Sequence, residues 1–335
     1  MTNVIKDKWL DIERQGGLSG KKLNKMVCID YLFRVYIGVS GIPSKRFVSL
    51  EIPASEVYQF ESFIVPQGFT LSIENPEIKH DGYVSCVLQA TNSEQNDVFT
   101  IVTEDILMKL KELKDTKSYV CILKQRIEKW KNFFSNPKRS ILTEKQIIGL
   151  FGELSLIKLL LERNVNIITR LWNGPLKLSQ DFQSQNTAIE VKTIASYDTN
   201  YIHISSEVQL DLLERQSLFL VAFYIEKNES DGITLPQLIK QIMLLIDSCE
   251  TNRFLAKLIC LGYNDKQKDL YNKKYYINKK VIYSVENGFP RILKKDLHKG
   301  VTGVKYTISL DSCAEFKVDI EEIIKTLKED EYGEE

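Results

Sequence analysis

The sequence predicts an α/β protein, α+β over its whole length, with a β-rich N-terminal domain followed by a mixed domain. Short runs of aromatic and β-branched residues, separated by Gly, Pro, Asn and Asp, fill most of residues 28–102. From residue 143 onward, segments with helical spacing alternate with segments typical of strands. One of these, Leu218–Ile225, is apolar throughout and indicates a central strand that is buried on both faces.

The predicted N-terminal domain covers residues 1–138. Its strands are predicted at five runs: CIDYLFRVYIGV, RFVSLEIP, GFTLSIE, YVSCVLQA and DVFTIV. Residues 103–134 then show helical spacing with many lysines. The stretch SNPKRS at residues 135–140 breaks this pattern, and we place the domain boundary there.

The predicted second domain covers residues 141–335 and begins with a helix. Thr143 and Gln146 form a capping-box pattern at the start of this helix, which runs to about Asn164. The next segments predict strands at NIITRLW, LKLSQDF, TAIEVKTI and YIHISS, a short helix at EVQLDLLER and then the apolar strand. A helix at LPQLIKQIMLLIDSC, a Lys- and Tyr-rich stretch, further strands and a final helix near IEEIIKTLKED complete the order.

The composition excludes several classes of protein. Lys and Arg together number 45, as do Asp and Glu, so any phosphate-binding surface must be local. The six cysteines form no C-x-x-C pair and there are three histidines, which indicates neither a zinc site nor a disulfide framework. The N-terminus has no signal-peptide pattern, and no run approaches the roughly 20 apolar residues that span a bilayer. We expect a cytoplasmic protein with no membrane partner.

The stretch AIEVKT at residues 188–193 places a carboxylate and an ammonium on one face of a predicted strand. Glu190 and Lys192 point one way because alternate residues of a strand share a face. Asp181 lies nine residues earlier, and the polar segment QSQNT between the two predicted strands can form the turn of a hairpin. Converging carboxylates suit Mg²⁺ or Mn²⁺, and an adjacent ammonium can stabilise charge that develops on a phosphoryl group. A solvated cross-strand ion pair is the alternative interpretation of the same spacing.

Glu153 falls in the middle of the apolar arc of the helix that begins at Thr143. Gly149 and Gly152 flank it, and glycines inside a helix are easier to understand where another backbone approaches closely. A carboxylate directed into a core needs a partner. The partner is either a metal ion or a buried Arg or Lys, and a capping contact is a further structural alternative.

These residues resemble the PD-(D/E)XK nuclease superfamily, whose restriction-endonuclease-like core has the order αβββαβ. The resemblance is carried by Glu153 on the first helix, by Asp181 on a strand and by the sequence EVK at residues 190–192. A helix and a buried strand follow EVK. More narrowly, the segments GLFGEL, LWNGP with DF, AIEVKT, ISSEVQL and YSVENGFPRI resemble a family of bacterial PD-(D/E)XK proteins associated with restriction and phage-defence loci.

The resemblance implies phosphodiester hydrolysis that depends on Mg²⁺, with Mn²⁺ expected to substitute. It implies Asp181 and Glu190 as metal ligands, Lys192 as the catalytic lysine, and Glu153 as the helix-borne acidic residue that completes the site. One departure from the motif is that Gln180, instead of proline, precedes the first acidic residue.

Gln209 in ISSEVQL matches a glutamine of the family, and we interpret it as a residue that positions water or phosphate. A glutamine on a helix surface is the alternative.

A local basic segment supplies the predicted nucleic-acid contacts. Residues 266–299 contain ten Lys or Arg and three acidic residues, a net charge of +7, with tyrosines between them. The predicted contacts are Lys273, Lys274, Lys279 and Lys280. A solvated face is the alternative for such a run, and the Lys-rich strip at residues 109–138 has the same ambiguity.

These observations predict a cytoplasmic Mg²⁺-dependent DNA endonuclease, the nuclease component of a restriction-modification or anti-phage system, that leaves 5′-phosphate and 3′-hydroxyl ends. Its expected partners are double-stranded DNA and other restriction-system subunits, such as an ATPase or a methyltransferase, and a homodimer is left open. The N-terminal domain would serve target recognition or docking. The alternative is a non-cleaving DNA-binding or scaffold subunit with a nuclease fold.

Overall fold

The computed structural model describes residues 2–16, 22–27, 33–60, 68–76, 78, 80–111, 113, 115–135, 142–176, 178–195, 200–212 and 215–332. The chain divides into two compact units, Met1–Arg139 and Ser140–Glu335. The predicted breaker at residues 136–140 and the start of the first predicted strand at residues 28–32 lie outside the described residues. Within the described ranges, no helix is both long enough and apolar enough to cross a membrane.

The first unit contains a five-stranded antiparallel sheet packed against helices. Its described elements are α1 (Thr2–Gly16), β1 (Leu23–Met26), β2 (Val35–Ser40), β3 (Lys45–Pro53), β4 (Phe69–Glu74), β5 (Tyr83–Ala90), α2 (Asn96–Lys111) and α3 (Thr116–Ser135). The strand order is β1-β2-β3-β5-β4. Trp9 of α1 is fully buried, and its indole donates a hydrogen bond to the Gly38 carbonyl at 3.0 Å, which joins α1 to β2.

The predicted strand DVFTIV is wrong, because residues 97–102 form the first turns of α2. Every residue from Val98 to Leu107 is buried. A helix that is buried on all sides has no polar face, so its apolar spacing cannot be told from that of a buried strand. The acidic residue Asp105 is tolerated there because it accepts hydrogen bonds from Trp130 at 2.7 Å and Arg126 at 2.9 Å, both in α3.

The second unit contains a mixed sheet with helices. Its described elements are α4 (Glu144–Leu161), α5 (Ile168–Leu171), β6 (Phe182–Gln183), β7 (Thr187–Ile194), β8 (Tyr201–Ile204), β9 (Ser217–Lys227), β10 (Ile233–Thr234), α6 (Leu235–Met243), α7 (Ser248–Leu261), β11 (Lys274–Ser284), β12 (Tyr306–Ser309), β13 (Lys317–Val318) and α8 (Ile320–Tyr332). The strand order is β10-β11-β9-β7-β6, and β13 pairs with β11. Strands β7 and β9 are parallel, whereas β8 leaves this sheet and pairs with β12.

The two faces of this sheet cover two separate clusters of apolar side chains. Ile189 and Val191 of β7 face the cluster that includes α4, whereas Ala188 and Ile194 face the cluster that includes β8 and β12. The predicted central strand lies within β9, and its residues 218–225 are all buried, as expected from its continuous apolar run. The alternating pattern of β7 therefore directs Glu190 to the face that carries β8 and β12.

Two predicted strands before β7 are largely wrong. The segment NIITRLW contains the short helix α5, and the buried ammonium of Lys257 donates to the carbonyl groups of Thr169, at 3.0 Å, and of Trp172. In LKLSQDF, only Phe182 belongs to a strand. Leu176 ends a short 3-10 helix, and residues 178–181 form a loop in which the Gln180 carbonyl accepts a hydrogen bond from the Asn173 side chain at 3.0 Å.

The predicted helix EVQLDLLER is a turn over residues 207–210, and its residues 213–214 lie outside the described ranges. Its carbonyls are bound by side chains from elsewhere in the unit, namely Gln180 and Arg291, instead of by the backbone of a helix. The predicted helix LPQLIKQIMLLIDSC ends earlier than expected, at Met243. A separate helix, α7, begins after Asp247, whose side chain caps it.

Helix α4 begins with the predicted capping box, in which Thr143 and Gln146 each bind the backbone N–H of the other. The close backbone approach expected at its glycines is found at neither Gly149 nor Gly152. A Cβ at Gly152 would overlap the methyl group of Thr193 on β7, so the close neighbour is a side chain. A Cβ at Gly149 would meet nothing within 4 Å.

This difference predicts opposite effects for two alanine substitutions. Gly149→Ala should raise the free energy of unfolding by about 1 kcal/mol, because alanine has the higher helix propensity and no clash arises. Gly152→Ala should lower it by about 1–2 kcal/mol, because the clash with Thr193 exceeds the propensity gain. Urea denaturation of both variants measures this, and stabilisation by both would show that α4 does not pack closely on β7.

Candidate active site

The register between β6 and β7 brings Asp181 beside Glu190. Phe182 pairs with Ile189 in an antiparallel ladder, so Asp181, one residue earlier, lies opposite Glu190. The Oδ2 atom of Asp181 accepts a hydrogen bond from the backbone N–H of Val191 at 2.8 Å. This bond fixes the carboxylate at the edge of β7, where β6 begins.

Glu190 and Lys192 form a buried ion pair. The Lys192 ammonium lies 2.6 Å from Oε1 of Glu190. The Glu190 side chain is 1% exposed and the Lys192 side chain is 15% exposed. The pair is therefore not the solvated surface pair that the spacing alone allows, and Glu190, when ionised, depends on Lys192 for compensation.

Gln209 also contacts the Lys192 ammonium. Its Oε1 atom accepts hydrogen bonds from Nζ of Lys192 at 3.2 Å and from the backbone N–H of Ser205 at 2.8 Å. Gln209 lies in the turn over residues 207–210, so it is not a residue on a helix surface. Glu190 and Gln209 together use two of the three N–H donors of the ammonium, which orients the third.

Gln180 holds this turn in place. Its side chain is buried, and Nε2 donates to the carbonyls of Val208 at 2.9 Å, Asp211 at 3.1 Å and Gln209 at 3.3 Å. A proline at this position could form none of these bonds, since its side chain has no hydrogen-bond donor. Gln180, which replaces the proline of the motif, therefore supports the turn from which Gln209 contacts Lys192.

Glu153 approaches the site from α4, and its carboxylate has an aromatic partner. Oε2 accepts a hydrogen bond from the indole N–H of Trp172 at 2.6 Å. Trp172 is fully buried, and the Lys257 ammonium binds its carbonyl group and lies 5.7 Å from the centroid of its ring. Neither a buried Arg nor a buried Lys pairs with Glu153 in the described part of the chain.

The three carboxyl groups interact electrostatically. The pKa of Glu190 is raised to about 8, because burial and the charge of Asp181 raise it more than Lys192 lowers it. Burial also raises the pKa of Glu153 well above its usual range, and the charges of Asp181 and Glu190 act in the same direction. The pKa of Asp181 is raised by burial despite its bond to Val191 and the nearby Lys192. Such shifts occur where acidic groups are crowded in a site that excludes water.

The chemistry of these donors fits a hard divalent cation. Oε2 of Glu190 is buried and has no hydrogen-bond partner among the described residues. Asp181 and Glu190 offer the oxygen ligands that Mg²⁺ and Mn²⁺ prefer, and Glu153 lies within electrostatic reach of both. Within the described ranges, however, no three His, Cys, Asp or Glu side chains already form a ligand cluster. Glu153 bonds to Trp172 and Glu190 bonds to Lys192 instead.

Residues 53–311 match the family described as "Putative PD-(D/E)XK family member, (DUF4420)". The chain belongs to this PD-(D/E)XK family. The matched range covers more than half of the chain and includes every residue of the candidate site. No curated protein and no solved structure matches the chain.

The predicted nucleic-acid contacts of this PD-(D/E)XK protein do not form one patch. Lys273 lies 2.9 Å from a carboxylate oxygen of Glu144, and Lys274 donates to the Glu229 carbonyl at 2.8 Å. The other two lysines of the set point to opposite faces of β11. Lys279 lies over the ring of Tyr224, whereas Lys280 lines a cavity of about 390 Å³ on the α4 face.

Sequence reasoning missed the residues that support the PD-(D/E)XK site. Trp172 lies in the segment LWNGP, but the sequence does not connect its indole with Glu153. Gln180 replaces the proline of the motif, and the sequence gives this residue no role. No signal in the sequence could have indicated Lys257, because it lies 85 residues after the carbonyl that it binds.

The raised pKa of Glu190 predicts how the stability of this PD-(D/E)XK protein depends on pH. Between pH 4.5 and about 8, the unfolded chain has lost the Glu190 proton whereas the folded chain retains it. The folded state thus binds more protons, and the free energy of unfolding should fall as the pH rises through this window without divalent metal. In Glu190→Gln the fall should be shallower by up to about 1.4 kcal/mol per pH unit.

Denaturant unfolding at pH 5, 6, 7 and 8 in EDTA measures this dependence. Glu229→Gln, which changes an exposed carboxylate, is the matched control and should follow the wild type. An identical pH dependence in Glu190→Gln and the wild type would contradict the buried position of Glu190.

Proposed function

We propose that this protein is a Mg²⁺-dependent endodeoxyribonuclease that hydrolyses phosphodiester bonds to 5′-phosphate and 3′-hydroxyl ends. The observation that carries the proposal is the buried contact of the Lys192 ammonium with Glu190 and Gln209, beside Asp181. Family membership supports nuclease chemistry at the same residues. An ion pair that served only stability would not need Asp181, a second acidic residue, beside it.

Each side chain has a distinct part in this mechanism. Asp181 and Glu190 would hold the cation, with Glu153 as an additional carboxylate. The Mg²⁺ ion, when bound, supplies Lewis acidity toward a phosphoryl oxygen and lowers the pKa of the attacking water. Lys192 directs its third N–H toward the reacting phosphate and stabilises the negative charge that develops there. Gln209 orients the ammonium, and its own N–H₂ group is a donor for water or phosphate.

The proposal also includes a biological setting, a restriction or phage-defence system. The chain resembles proteins of restriction and phage-defence loci, so a role as the nuclease component of such a system follows from the resemblance. Its DNA substrate would be double-stranded, and an ATPase or a methyltransferase would be its partner. The β-rich first unit would recognise the target or dock these subunits.

Metal binding should require both strand carboxylates. Asp181→Asn and Glu190→Gln should each weaken Mn²⁺ binding at least about tenfold, because each change replaces a charged oxygen ligand by a neutral amide. Isothermal titration with Mn²⁺ measures the affinity, with Glu229→Gln as the control that keeps wild-type affinity. Wild-type Mn²⁺ affinity in both site variants would show that the metal does not bind at this site.

Lys192→Ala should reduce the cleavage rate at least about 10³-fold, because the ammonium acts on charge that develops in the transition state. Nicking of supercoiled plasmid measures the rate, in reactions that include any partner subunits. Lys240→Ala, an exposed lysine of α6, is the matched control and should cleave like the wild type. Normal nicking by Lys192→Ala would assign the ion pair a structural role and would favour the non-cleaving binding subunit.

A further inference from the structure

A second basic surface, distinct from the lysines of β11, lies in the segment 291–305. Four exposed lysines belong to it: Lys294, Lys295, Lys299 and Lys305. The segment has one acidic residue, Asp296, and a net charge of +4 with Arg291 included. In the part of the chain that the structure describes, no carboxylate forms a salt bridge with any of the four lysines. Backbone hydrogen bonds and, less strongly, the charge of Lys294 lower the pKa of Glu207, and exposed lysines that form no salt bridge can bind an external anion.

Both ends of this segment are attached to the turn that orients Lys192. Arg291 donates from Nη1 to the Leu210 carbonyl at 2.8 Å. Near the other end, the backbone N–H of Val304 donates to Oε2 of Glu207 at 2.9 Å. Glu207 and Leu210 bound the turn that contains Gln209, whose side chain accepts from the Lys192 ammonium. The turn over residues 207–210 therefore contacts both the lysine-bearing segment and Lys192.

Strand β12 brings the segment still closer to Lys192. The residue that ends the segment, Lys305, precedes Tyr306, the first residue of β12. The Tyr306 hydroxyl accepts from the backbone N–H of Ile292 at 3.3 Å, which closes the segment into a loop. Burial raises the pKa of Tyr306, and the positive charges of Arg291 and Lys192 both lower it, so the ring lies within electrostatic reach of both cations.

We propose that the loop 291–305 binds the phosphate backbone of duplex DNA and guides the scissile phosphate to Lys192. This inference rests on the proposed function and adds the surface that the substrate follows. Lysines that project from an irregular loop bind phosphates without reading sequence, so the contact fixes the position of the duplex and not the choice of site. Because each neutralised phosphate releases counterions, such a surface makes binding strongly dependent on salt.

The experiment compares two variants with the same change in charge. The loop variant combines Lys294→Gln, Lys295→Gln, Lys299→Gln and Lys305→Gln. The control combines Lys240→Gln, Lys317→Gln, Lys325→Gln and Lys328→Gln, four exposed lysines outside the loop. Both are made in full-length protein that also carries Lys192→Ala, so that cleavage does not interfere. Fluorescence anisotropy with a labelled 30-base-pair duplex measures affinity between 50 and 200 mM NaCl in Mg²⁺.

The loop variant should bind at least about 30-fold more weakly than its parent at 100 mM NaCl, and the slope of log affinity against log salt should decrease by about 3, close to 0.9 for each lost contact. The control should keep its affinity within about threefold and its slope within about one. Thermal melting of both variants verifies that they are folded.

An unchanged slope in the loop variant, or the full decrease in the control instead, would overturn the proposal. Absence of duplex binding by the parent would overturn it as well. Plasmid cleavage by the otherwise unmodified protein separates this result from the proposed function. If the wild type cleaves but the salt slope of the loop variant is unchanged, only the proposed loop surface is refuted. If binding depends on the loop but the wild type does not cleave, only the proposed nuclease activity is refuted.

Discussion

The site depends on one electrostatic constraint, which is that the Glu190 carboxylate is 1% exposed and must be compensated within the protein. Its compensating charge is Lys192, two residues along the same strand, and the two side chains share a face because of the geometry of β7. A buried ion pair is stable only if the remaining donors and acceptors are also satisfied. This requirement explains why Gln209 lies at the ammonium.

The irregular segments around β7 follow from the same constraint. Gln209 reaches Lys192 only if residues 207–210 form a turn, and a turn leaves carbonyl groups that a helix would have bound internally. The amide of Gln180 and the guanidinium of Arg291 bind those carbonyls. On the opposite side, the Lys257 ammonium fixes the segment that contains Trp172, and Trp172 in turn binds Glu153. Buried polar side chains thus form the support of the site, and their directional bonds give it a single arrangement.

The raised pKa values of the three carboxyl groups show that this arrangement has a cost for the free protein. Crowded carboxylates in a buried position destabilise the ionised form, and a divalent cation is the partner that reverses this effect. Glu190 keeps one oxygen without a hydrogen bond in the described structure, while Lys192 binds the other. Glu190 can therefore bind a metal ion through Oε2 while its Oε1 orients Lys192.

The sequence by itself determined the α/β class, the antiparallel sheet of the first unit, the buried strand β9 and the hairpin that brings Asp181 to Glu190, because alternation and turn residues act over a few neighbouring positions. It also identified the family through these residues. The tertiary structure alone decided that DVFTIV and NIITRLW are helical and that EVQLDLLER is a turn. In the last two segments, the deciding bonds come from Lys257, Gln180 and Arg291, which are distant in sequence, and local propensity contains no information about partners that far away.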